Sequence, residues 1–117
     1  MKKNVVKDKS FDFALIVVNT YKMLVNKERE YILSKQFLRS GTAIGALIRE
    51  AEQAESKADF IHKLSISLKE ANETHYWIDL LHQSAYLNDD LHLKLISQAH
   101  ELIKLLTAII KTTKNRK

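Results

Sequence analysis

Across 117 residues there is no proline and there are only two glycines, so almost nothing in the chain breaks a helix. Against that background, apolar residues recur every three or four positions in four successive segments, each the signature of a helix with one buried stripe. The first helix is predicted to start near Ser10, an N-cap followed by Asp12, and to turn Phe11, Ala14, Val17, Val18, Tyr21, Leu24 and Val25 inward. Asn26 to Arg29 form the connection. The second helix is expected from about Glu30 to Glu55, on a stripe of Leu33, Phe37, Ser40, Ile44, Leu47, Ile48 and Ala51. Ser56 and Asp59 resemble a capping box, so the third helix should begin at Lys57 and run to about Tyr86. Its inward face is Phe60, Ile61, Leu64, Leu68, Ala71, His75, Ile78, His82 and Ala85. After Leu87-Asn88-Asp89, a fourth helix from about Asp90 to Thr113 turns Leu91, Leu95, Ala99, Leu102, Leu106 and Ile109 inward. The expected fold is all-α: a single domain over residues 1–117, folded as an antiparallel up-down-up-down four-helix bundle.

Several function classes are excluded. Without cysteine there is no disulfide framework, thiol nucleophile or cysteine-ligated zinc. The basic N-terminus is followed by Asp8, Lys9 and Asp12 before its apolar run, and Asn19 and Thr20 cut that run short, unlike a signal peptide. No apolar run approaches the ~18–20 residues of a membrane span. A soluble, unprocessed, cytoplasmic chain is expected. His-Glu-x-x-His, P-loop and Gly-x-Ser-x-Gly patterns are absent. Asp59/His62 and Asp79/His82 share an Asp-x-x-His spacing but lie on one helix, with His62 turned away from His75 and His82. Di-iron bundles need Glu-x-x-His pairs on two helices. The histidines are therefore expected to hydrogen-bond within or beside the core, with no metal, cofactor or enzymatic activity.

The formal charge of +5 is uneven. Residues 1–9 carry +3 (Lys2, Lys3, Lys7 and Lys9 against Asp8), and residues 111–117 carry +4 (Lys111, Lys114, Arg116 and Lys117), leaving −2 for the body. The bundle topology would gather both basic tails at one end, where they could contact RNA or DNA phosphates. No aromatic interleaving or RNA-binding motif accompanies them. On the third helix a second series, Ile66, Glu70, Glu73, Trp77 and Leu80, runs opposite the core face. With Ile16 and Met23 on the first helix it suggests a subunit interface, with Arg39 or Arg49 as a cationic partner for the two carboxylates. An acid/base role for Glu70 and Glu73 is the weaker reading. Gly41 and Gly45 form a Gly-x-x-x-Gly that Arg39 and Arg49 keep out of any lipid span. It marks a flank of tight packing.

The central segment, RSGTAIGALIREAE followed by DFIHKLSISLKEANETHYWIDLL, resembles the bacterial four-helix bundle proteins encoded within intervening sequences of 23S rRNA genes. The resemblance is carried by Arg39-Ser40-Gly41-Thr42, Ile44-Gly45-Ala46, Glu50-Ala51, Glu70-Ala71, Glu73-Thr74 and Tyr76-Trp77. Leu47 departs from it, standing where the family pattern usually has asparagine. The resemblance implies a homopentameric ring or barrel without enzymatic activity. It also implies similarity to the accessory protein of diversity-generating retroelements, which binds nucleic acid and a reverse transcriptase. The expectation is a non-enzymatic homo-oligomer whose basic tails touch RNA or DNA. The alternative is a scaffold that recruits a protein partner and has no nucleic-acid role.

Overall fold

Asn4, not Ser10, starts the first helix. In the computed structural model, which describes residues 4–116, α1 spans Val5–Asn26, and the Asn4 side chain accepts from the Lys7 amide at 3.1 Å. No proline or glycine lies between Asn4 and Ser10 to interrupt a helix, so the cap earlier in the chain wins. Ser10 is instead buried inside α1. The buried face is Val6, Ser10, Phe13, Val17, Thr20 and Leu24, so Phe13 is fully buried while Phe11, predicted inward, is 50% exposed beneath the Arg49 guanidinium. Ile16 and Met23, expected on an outward seam, are partly buried against the core.

The connection to α2 is organised by Glu30. Arg29 adopts a left-handed backbone (φ 57°), and the buried Glu30 carboxylate then accepts from the amides of Ile32 (3.1 Å), Leu33 (3.1 Å) and Ser34 (2.6 Å). These are orphan donors of the helix start. Burial pushes the Glu30 carboxyl up, but the amides of Ser34, Leu33 and Ile32 outweigh it and hold the group below the ordinary glutamate range. Helix α2 spans Leu33–Glu52, shorter at both ends than the predicted Glu30 to Glu55. The Ser56 cap is as predicted, its Oγ accepting from the Asp59 amide at 3.0 Å, and α3 spans Lys57–Gln83. It stops before Tyr86 because Ala85, predicted inward, is exposed in the left-handed region (φ 69°), where the Tyr86 amide closes back on the Leu81 carbonyl. Helix α4 spans Asp89–Lys114, capped by Asn88.

Four helices and no strand make up the described residues. Each helix packs on its neighbours in sequence, and α1 also meets α4, more sparingly. The core is Val6, Phe13, Val17, Leu24, Phe37, Ile44, Ile48, Ala51, Leu64, Ala71, Ile78, Leu81, Leu87, Leu95, Ala99, Leu102, Leu106 and Ile110. Gly41 and Gly45 sit against α1. A Cβ on Gly41 would lie 2.8 and 2.9 Å from the two methyls of Val17, whereas one on Gly45 would meet Ser10 Oγ at 3.2 Å. The expected tight flank is thus the α1–α2 contact. Between α2 and α3 buried hydroxyls replace methyls: Thr74 Oγ1 donates to Ser40 Oγ at 2.9 Å, and Ser67 Oγ to the Ile44 carbonyl at 2.9 Å.

Two stability measurements follow from these contacts. Gly41→Ala should destabilise the fold by about 1–3 kcal/mol despite alanine's better helix propensity, because rigid Val17 methyls stand in the way. Gly45→Ala should cost clearly less, and adding Val17→Ala to Gly41→Ala should recover part of the loss. Equal costs in urea unfolding would contradict the close approach. Glu30→Gln should lower stability by about 1–3 kcal/mol at neutral pH. A depressed folded pKa gives stability that is present above the unfolded value and lost as pH falls through the folded one. The two proteins should therefore converge in acid, below the ordinary glutamate range.

Candidate functional site

Arg39 and Ser40 are adjacent on α2, and Glu73 and Thr74 on α3. The buried Ser40–Thr74 pair beneath fixes the register that brings Arg39 over α3. Its guanidinium bonds Glu70 Oε1 at 3.2 Å and also contacts Glu73 Oε2, while its Nε donates to Gln36 at 3.3 Å. The same Glu73 oxygen accepts from Trp77 Nε1 at 2.9 Å, one helical turn on. Tyr76 stands edge-on to Trp77, with ring centroids 5.0 Å apart, and is 58% exposed.

The Trp77 hydrogen bond, joined by the Arg39 guanidinium, holds the Glu73 carboxyl below its ordinary value against the upward push of burial. The hydrogen bond to Glu73 holds Arg39 above its ordinary value. One arginine of α2 thus engages two carboxylates of α3. Of the expected seam, Arg39, Glu70, Glu73 and Trp77 form one cluster. Ile66 and Leu80 flank it, each partly buried. Ile16 and Met23 do not join it; both pack on the core from α1.

The basic residues divide differently from the expected tails. Lys2, Lys3 and Lys117 lie outside the described residues. Lys7 and Lys9 belong to α1, where Lys7 pairs with Glu52 and Lys9 with Glu101, each at 3.0 Å. Lys111 and Lys114 are exposed in the last turn of α4, favourably placed for its dipole. The Arg116 carbonyl accepts from Lys57 Nζ at the start of α3. Among the described residues Lys57 has no carboxylate partner, and it lies beside Arg116, whereas Lys111 and Lys114 border a separate cavity with Leu68, Thr107, Ile110 and Asn115. The shallow cavity beside Lys57, of about 610 Å³, is lined by Lys57, Phe60, Ala108, Ile109, Thr112, Thr113 and Arg116. Sequence reading missed Lys57, because its neighbour is 59 positions away.

The histidines bond across the α3–α4 groove. Asp79 pairs with His75 and His92 rather than with His82, which pairs with Asp89. Among the described residues, no group of three or more histidine, aspartate or glutamate side chains converges to hold a metal ion. No helix there is long and apolar enough to cross a membrane.

A family model described as 23S rRNA-intervening sequence protein matches residues 2–108 of the chain. The structure is similar to a crystal structure from Bacteroides thetaiotaomicron, described as a protein with unknown function from the S23 ribosomal protein family. The two share 57% sequence identity over 91% of this chain and 98% of that one, with a TM-score of 0.90. No curated protein matches the chain.

The Trp77 hydrogen bond offers a direct readout of the cluster. Tryptophan emission should change on acidification with a midpoint below the ordinary glutamate range, as Glu73 takes up its proton. Glu73→Gln should remove that transition. Because Glu73 is a third exposed, its loss should cost under about 1 kcal/mol of stability. A transition persisting in the variant would place the titrating group elsewhere.

Proposed function

The chain belongs to the 23S rRNA-intervening sequence protein family, and from that premise we propose a non-enzymatic, homo-oligomeric nucleic-acid-binding protein of the cytoplasm. Its four helices form an antiparallel up-down-up-down bundle. Supporting this are paired contacts whose numbers run in opposite directions at each interface: Lys7 with Glu52 and Val17 with Gly41, Glu50 with Lys63 and Ser40 with Thr74, and His75 with His100 and Asp79 with His92. In that topology the start of α3 and the end of α4 share one end of the bundle. The bundle assembles as a pentamer, as the resemblance to this family implies, and the Arg39–Glu70–Glu73–Trp77 cluster contributes to the seam. Tryptophan with a satisfied N–H and an exposed tyrosine beside it suit such a surface.

The observation that carries the nucleic-acid reading is the set of cations at the start of α3 and the end of α4, Lys57 with Arg116 on one side and Lys111 with Lys114 on another. These residues are exposed, and among the described residues their charges are not spent on carboxylates as those of Lys7 and Lys9 are. Repeated around a ring they would contact phosphates with avidity and with little base preference. The family's name ties it to 23S rRNA, which makes structured RNA the first ligand to try. The rival reading, a scaffold for a protein partner, is favoured by Phe11 and Leu15, both 50% exposed on α1.

Fluorescence anisotropy with a structured RNA and a DNA duplex tests the proposal. Binding should weaken at least tenfold between 50 and 200 mM salt. Lys111→Glu with Lys114→Glu should weaken it at least tenfold more, while Lys7→Gln with Lys9→Gln should do much less. Truncation of residues 1–9 is a poorer probe, because it removes the first turn of α1. Affinity indifferent to both salt and the α4 variant would sink this reading. Light scattering should give five times the 13.5 kDa chain mass, and Glu70→Ala should lower it.

A further inference from the structure

We propose a surface site for one borderline divalent metal ion, of the zinc or copper class, held by His75 of α3 and His100 of α4. The Nε2 atoms of the two rings lie 3.0 Å apart. That is less than twice the ~2.0–2.1 Å length of a zinc–imidazole bond, so one ion can reach both nitrogens. The angle it would see, near a right angle, suits two adjacent positions of an open coordination sphere.

The tautomer of His75 is biased at its other nitrogen. Nδ1 lies 3.3 Å from Asp79 Oδ2, a contact that favours the tautomer with the hydrogen on Nδ1 and the lone pair on Nε2. Asp79 is held in place from α4, where His92 Nε2 donates to its Oδ1 at 2.9 Å. His92 in turn stacks on His82, with centroids 3.8 Å apart. A carboxylate orienting an imidazole whose far nitrogen faces the ion is the usual support of a histidine metal ligand. The rings border an open cavity of about 450 Å³, lined also by Asn72, Tyr76, Asp79, Ile103 and Lys104. Water has room there to fill the remaining positions. Lys104 opposes a cation, but its exposed ammonium is free to swing away, whereas Asp79 is fixed beside the site. With two protein ligands, affinity falls well short of that of closed structural zinc sites. The inference is independent of nucleic-acid binding.

Isothermal titration of the tag-free, full-length protein with zinc ion alone should give one ion per chain. His75→Gln and His100→Gln should each weaken binding at least tenfold. Asp79→Asn, which does not touch the ion, should weaken it ~10–100-fold, and His62→Gln on the exposed face of α3 should leave it unchanged. In wild-type protein, zinc should shift the imidazole nitrogen resonances of His75 and His100 ahead of the other histidines, a readout that needs no variant to fold. Absence of zinc binding, binding undiminished in both ligand variants, or resonance shifts confined to other histidines would each overturn the site and leave a plain His75–His100 hydrogen bond.

Discussion

Three consecutive residues of α2 set the geometry of the bundle. At 100° per residue, Arg39, Ser40 and Gly41 face three different directions. Gly41 lets Val17 of α1 approach to a distance that no Cβ would tolerate. Ser40 accepts the Thr74 hydroxyl of α3 inside the core. Arg39 reaches over the outside of the same interface to Glu70 and Glu73. A one-residue rotation of α2 would lose all three contacts together, so the azimuth of this helix is fixed more firmly than apolar packing alone could fix it.

The buried hydroxyls extend that control to register. A slide of α3 by one turn would leave Ser67 and Thr74 without their partners across α2, and an unmade hydrogen bond in the core costs about 1–3 kcal/mol. Ser67 has the Ile44 carbonyl as its acceptor across the interface, while Thr74 meets Ser40 there and also bonds the Glu70 carbonyl of its own helix at 2.7 Å. Helix α4 is built on different terms. Its buried residues are Leu95, Ala99, Leu102, Leu106 and Ile110, all apolar. Its polar ties to α3 lie at the groove edge, where imidazoles and carboxylates remain partly wet. The α2–α3 interface thus specifies alignment, and α4 chiefly contributes burial.

How much of this was legible from sequence differs by residue. Helix count and most core positions follow from periodicity, and Ser56 and Asn88 are recognisable caps. The phase of α1 was misread because Phe11 and Phe13 are both plausible inward residues, and only the helix starting at Asn4 decides between them. Ser10 looked like a cap because serine serves both as cap and as small spacer; opposite Gly45 it is the spacer. Glu30 was invisible as a cap because glutamate is a poor one by propensity, and it works here through the left-handed turn at Arg29. Trp77 was read for its apolar ring, whereas its N–H also matters, since it completes the shell of Glu73. For Glu70 and Glu73 the sequence left open a solvated rim or a cation such as Arg39 or Arg49, and the structure pairs both with Arg39. The histidine contacts were not foreseen, since each depends on which turn of α4 faces which turn of α3.

The charge distribution acquires a different meaning once the helices are in place. Counting lysines in the terminal segments treats them as equivalent, but an ammonium held 3.0 Å from a carboxylate contributes little field at a distance. Lys7 and Lys9 tie α1 to α2 and α4, and so belong to the cohesion of the bundle. Lys111 and Lys114 also have a structural role, complementing the carbonyl end of α4, worth about 0.3–1 kcal/mol each. That interaction leaves their ammonium groups exposed to solvent. Lys57 gives its hydrogen bond to a carbonyl, which is uncharged. A cation satisfied by a neutral acceptor keeps its charge for an approaching anion, whereas one satisfied by a carboxylate does not. By that criterion the start of α3 and the end of α4 keep more of their positive charge than the start of α1 does.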